Sequence, residues 1–202
     1  MARLTRRESQ ARTREKLLAT ATTCFLRDGY AATSLDGIAD AAGFSKGAVY
    51  SNFKNKDELC IAVIEAVRAD RVASLAAAIL PATTLEARIA AFESWAERTI
   101  GDQAWTSLEI EFAVHAGRDP VLAGRLVRDN EAIRSLIVRV VDELVRTNGI
   151  TLPMASEDVG LALLSLGVGL GLQRALDPTV SVRSLGQLVR LFAGPTKAKR
   201  KR

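Results

Sequence analysis

Thr33 to Leu59 reads TSLDGIADAAGFSKGAVYSNFKNKDEL, and the spacing of its capping residues decides the fold. Thr33 or Ser34 can open a helix, because a side-chain oxygen there accepts from an amide that the first turn leaves unpaired. Leu35, Ile38, Ala39 and Ala42 then recur at helical spacing. Gly43 stands where a helix closing in the left-handed region wants glycine. Ser45 is a second cap, before a short helix carrying Ala48, Val49 and Tyr50. Asn55 is a third, with Glu58 three places on as in a capping box. Two short helices joined by a tight glycine turn make a helix-turn-helix. With Ala48, Val49 and Phe53 facing inward, Lys46, Gly47, Tyr50 and Asn52 point away from the core. A cation, a bare backbone, a phenol and an amide suit a groove of DNA. Phosphates suit the Ser45 hydroxyl, the amides of the helix start, and Lys56.

The run from about Thr13 to Val67 resembles the DNA-binding domain of the TetR family of bacterial transcriptional repressors. Phe25, Gly29, Tyr30, Thr33, Ile38, Ala39, Ala42, Gly43, Ser45, Gly47, Tyr50, Phe53, Lys56 and Leu59 carry the likeness, in order and without gaps. The resemblance implies that Thr33 and Ser45 to Tyr50 touch DNA and that Lys56 holds a phosphate. The expected DNA-binding set is therefore Thr33, Ser34, Ser45, Lys46, Gly47, Ala48, Tyr50, Asn52 and Lys56. Lys46, Gly47, Ala48 and Asn52 vary within the family, so the operator does not transfer. Gly37 departs from a good helix former at a cost of about 1 kcal/mol.

Charge is distributed by region. Residues 1–56 hold ten Lys/Arg against five Asp/Glu, residues 57–196 hold thirteen against eighteen, and residues 197–202 hold five Lys/Arg and no acid. A basic head, an acidic middle and a basic tail fit a chain of which one end meets phosphates. The chain has 202 residues, 48% of them hydrophobic, as in a globular protein. Arg14, Glu15, Lys16 and Arg27 interrupt the first apolar stretch, so no signal peptide is expected. The uncharged run Val159–Gln173 is shorter than the ~20 residues of a bilayer span and reads as a buried helix. Cys24 and Cys60 read as small core residues. A cytoplasmic location and no membrane partner are expected.

The expected fold is all-α. Residues 1–12 read as a basic flexible arm with Arg3, Arg6, Arg7 and Arg12, placed to lie along DNA or to trail in solvent. Residues 13–56 form the helix-turn-helix domain, 57–194 a helical regulatory and dimerisation domain, and 195–202 a basic disordered tail. Helices are expected over Thr13–Asp28, Asp57–Leu80, Thr84–Ile100, Asp102–Gly117, Pro120–Thr147, Ser156–Leu176 (with Ser156 as its cap) and Ser181–Phe192. Ile133, Ile137, Val140 and Leu144 on one long helix and Gly160, Leu163, Gly167, Leu170 and Gly171 on the next form the expected dimer interface, with an intramolecular core as the alternative. A glycine face suggests close approach of another helix, and across a two-fold axis the pair would build a homodimer core. The family resemblance implies the same.

Trp95, Trp105, Glu109, Phe112 and His115 gather aromatic and polar groups in the middle helices, as a small-molecule site does, though the same pattern also serves a plain core. No metal-ligand spacing or cofactor motif is present, and neither is expected. One histidine, no phosphate loop and no nucleophile elbow argue against an enzyme. The function expected is a homodimeric repressor on a palindromic DNA operator, released by a small-molecule inducer. The alternative is a protein that coats DNA without regard to sequence.

Overall fold

The structure is a computed structural model, described here over residues 5–193; the expected tail at 195–202 lies outside them. Among the described residues all regular structure is helical: α1 (Arg6–Ala32), α2 (Leu35–Ala42), α3 (Lys46–Asn52), α4 (Lys56–Ile79), α5 (Leu85–Thr99), α6 (Gln103–Ala116), α7 (Pro120–Asn148), α8 (Ser156–Leu176) and α9 (Arg183–Ala193). The all-α fold is as expected.

The first departure is at the start. Residues 5–12 are not an arm. Thr5 caps α1 through a reciprocal box: its hydroxyl accepts from the Glu8 amide, and the Glu8 carboxylate accepts from the Thr5 amide at 2.7 Å. These turns carry no apolar stripe because they project beyond the packed part of the helix. Periodicity therefore could not mark them.

The chain divides into two compact units. The first takes residues up to Asp70 and adds Ala104–Pro120, so it extends beyond the expected boundary at 56 and includes most of α6. Its core is fully buried Leu17, Phe25, Ile38, Val49, Phe53, Leu59, Ile64, Leu108 and Phe112. Cys24 and Cys60 are buried and unpaired, and burial pushes the Cys60 thiol upward. α1 packs on α2 and α3.

The second unit takes Arg71–Gln103 and everything from Val121. One cluster of Ala96, Leu170, Val182 and Leu185 joins α5, α8 and α9, and a second of Val141, Val159 and Phe192 joins α7, α8 and α9. α8 opens at Ala155 with no side-chain cap, so Ser156 is its first residue rather than its cap. α8 is not the buried helix expected: only 22% of its most apolar window is buried. By length and composition it is also the one described helix apolar enough to cross a membrane.

Candidate nucleic-acid interface

The helix-turn-helix forms as the capping residues direct. The Ser34 hydroxyl accepts from the Gly37 amide at 3.0 Å and opens α2. Gly43 closes it at φ +70°, its amide turned back to Ala39 and Asp40. The Ser45 hydroxyl accepts from the Ala48 amide at 3.2 Å and opens α3. Asn55 accepts from the Glu58 amide at 2.8 Å, while the Glu58 carboxylate reaches the Lys54 amide at 2.9 Å.

α3 has an inner and an outer side. Val49 and Phe53 are fully buried, and Ala48 is half-buried. Tyr50 is 54% exposed. Lys46 and Gly47 are exposed with it, and the space where a Gly47 side chain would stand is open. The Lys46 ammonium pairs with Asp36 of α2, which holds its pKa above the usual range. The Asn52 amide is half-buried and donates to the Ala48 carbonyl at 2.8 Å.

Two expected DNA contacts are turned inward instead. Thr33 is buried, and its hydroxyl donates to the Gly29 carbonyl at 2.7 Å. The Lys56 ammonium donates to the carbonyls of Tyr30 at 2.9 Å, Thr33 at 3.0 Å and Ala31 at 3.4 Å, and stands 4.1 Å from the Tyr30 ring centre. Physically this is a cation closing the carbonyl end of a helix. Phosphate contact and end-capping both ask for a cation at that place, so the residue type alone could not separate them.

The candidate ligand residues do not assemble as one group. Trp95 belongs to the second unit, where its indole donates to Ser74 at 2.9 Å and its ring stacks on Phe92. Trp105, Glu109, Phe112 and His115 belong to the first. Trp105 and Phe112 are buried core, and Glu109 pairs with Arg68 at 2.7 Å. His115 Nε2 lies 3.0 Å from both the Asp57 carboxylate and the Tyr30 hydroxyl. Burial, with the Asp57 hydrogen bond added, raises the Tyr30 pKa and keeps its phenol a donor. Glu111, also on α6, accepts from the amides of Tyr30 at 2.7 Å and Ala31 at 2.8 Å, just after Gly29 breaks α1 at φ +79°. These α6 groups set the position of the segment that leads into α2.

The expected dimer residues divide as well. Gly160 is buried against α7 of its own chain, where a Cβ would stand 2.9 Å from Val138. Leu170 and Leu163 lie in the intrachain clusters, and Gly171 is buried. At Gly160 the glycine face does admit a close helix, and that helix is α7 of the same chain. Ile133, Ile137 and Leu144 are half-buried and Val140 is 44% exposed. Gly167 has open space above it. The outward side of α8 shows Leu161, Val168, Leu172 and Leu176, all large and exposed.

Residues 17–63 match the profile of "Bacterial regulatory proteins, tetR family", and residues 81–193 match "BetI-type transcriptional repressor, C-terminal". The chain belongs to the TetR family of transcriptional regulators. As a TetR-family member it has a helix-turn-helix head and a helical C-terminal part. It is similar to the HTH-type transcriptional regulator AcrR of Shigella flexneri, 46% identical over 59 residues, which is 29% of this chain and 27% of that one. It is also similar to the HTH-type regulator TtgR of Pseudomonas putida, 39% identical over 67 residues, or 33% and 31% of the two chains. Both alignments thus span less than a third of those relatives. The crystal structure of reduced Escherichia coli NemR superposes with a TM-score of 0.72 at 18% identity, covering 92% of this chain and all of that one. That likeness concerns the fold.

Proposed function

We propose that this protein is a homodimeric repressor that reads a roughly palindromic operator with α3 of each subunit and leaves it when a small molecule binds. The observation that carries the DNA half is the mounting of α3. An exposed Tyr50, Lys46 and Gly47 stand on a fully buried Val49 and Phe53, so a polar reading edge is held on a rigid base. Ser34, Ser45, Ala48 and Asn52 border that edge. Thr33 and Lys56 support it from beneath.

The dimer half is supported by α8. Leu161, Val168 and Leu172 share one stripe at helical spacing, with Leu176 beyond, and Gly167 leaves room for a close neighbour. Large contiguous apolar surfaces on a soluble chain mark interaction sites, and a symmetric second copy is the commonest occupant. Val140 of α7 is exposed as well. The family match to a repressor C-terminal profile supports repression. An inducer must bind the DNA-free form more tightly than the DNA-bound one, whatever its seat. A cytoplasmic location belongs to the same reading.

Selection of bound sequences from a randomised DNA pool tests it. Recovery of one palindrome, with half-sites about one helical turn (~34–36 Å) or a multiple apart, is the expected result. Binding with no sequence preference would overturn it in favour of a DNA-coating protein. Tyr50→Ala should lower operator affinity and leave the protein folded and dimeric.

A further inference from the structure

Because α1 begins at Arg6, its first turns carry side chains that an arm could not place. Arg7, Gln10, Ala11 and Arg14 fall at i, i+3, i+4 and i+7, on one face of the helix. That face and the end of α3 border a shallow, open groove of about 270 Å³, lined by Arg7, Gln10, Ala11, Arg14, Ser51 and Asn52. Two guanidiniums and two side-chain amides line it, and among the described residues no carboxylate does. Arg14 is held in place: it donates to the Asn52 carbonyl at 2.5 Å, and its guanidinium stands 4.1 Å from the Phe53 ring centre. The hydroxyl of Ser51 and the amide of Asn52 donate back to the Ala48 carbonyl, so α3 supplies the wall and α1 the donors.

We infer that this groove seats a phosphate of the DNA backbone beside the base pairs that α3 reads. The inference rests on the proposed entry of α3 into the major groove. A guanidinium fork offers two parallel donors to a phosphate, and a fixed Arg14 gives up little side-chain freedom to make that contact. The contact fixes the register of α3 and carries no sequence information of its own.

The test uses the full chain and two DNA duplexes, the selected operator and an unrelated sequence, titrated over a range of salt. Arg7→Gln removes one groove cation, while Lys16→Gln removes an exposed cation on the opposite face of α1. Arg7→Gln should weaken both duplexes by the same factor, roughly five- to tenfold at 0.1 M salt, and flatten the salt slope by about 0.9. Lys16→Gln should leave the slope unchanged. Equal slopes for the two variants, or a changed base preference in Arg7→Gln, would overturn the assignment. Wild-type protein that binds neither duplex would instead sink the proposed function. Replacing chloride by inorganic phosphate at constant ionic strength separates the two sources of this chemistry. An equal loss in wild type and Arg7→Gln keeps the groove for DNA; a larger loss in wild type would make it a free-anion site and overturn the inference.

Discussion

The ammonium of Lys56 donates to the carbonyl of Tyr30 at 2.9 Å, so the first residue of α4 closes the end of α1. Lys56→Met keeps the stem over the Tyr30 ring and removes the three carbonyl contacts. Hydrogen bonds to charged groups contribute about 1.5–3 kcal/mol, and a loss of that size should appear as a lower urea midpoint at fixed protein concentration. The salt slope of DNA binding should match wild type. A flattened slope with unchanged stability would return Lys56 to a phosphate.

Gly29 stands at φ +79°, and a Cβ there would lie 2.7 Å from the Glu111 carboxylate. The backbone conformation strains any side chain there, and the Glu111 carboxylate, bonded to the Tyr30 and Ala31 amides, would have to shift to admit one. Gly29→Ala should cost on the order of 1–3 kcal/mol from the backbone alone. It should cost less in a Glu111→Ala background, where the steric part is gone. Additive costs in the double-mutant cycle would show that Glu111 does not press on this joint.

The pair formed by Lys46 and Asp36 sits at the reading edge, with both side chains largely exposed. A carboxylate there repels phosphates and occupies the cation that would meet them. Asp36→Asn should raise affinity for unrelated DNA several-fold and narrow the gap to the operator. The melting temperature should not move, since exposed ion pairs contribute little. Unchanged affinity for unrelated DNA would remove Asp36 from recognition.

Val168 lies on the outward stripe of α8 and is 56% exposed. Val168→Glu should yield a monomer by sedimentation with its helical circular dichroism retained. A dimer that persists would place the interface elsewhere.

How much was legible in the sequence follows from what each residue type can signal. Ser34, Gly43 and Ser45 announce helix ends by chemistry specific to those ends, and the structure uses all three in that way. The inward turn of Val49 and Phe53 follows from spacing. Thr5 and Glu8 carry the capping-box spacing in the sequence itself, and a helix opened there puts Arg7, Gln10 and Arg14 on one face. Gly160 signals a close helix and cannot say whose. Thr33 bonds back four residues, a local habit that its residue type does not separate from a DNA contact, whereas Lys56 and Glu111 act through partners 26 and 81 residues away, and no local pattern encodes those pairings.

Glu111 satisfies two amides of the joint that leads into the helix-turn-helix, yet it comes from α6. The DNA-binding head is therefore discontinuous in the chain. A fragment ending at residue 56, or a chimera spliced there, would leave the Tyr30 and Ala31 amides without their acceptor and the Tyr30 phenol without Asp57. Transplanting this head onto another C-terminal part means carrying residues 104–120 with it, or rebuilding their contacts in the host.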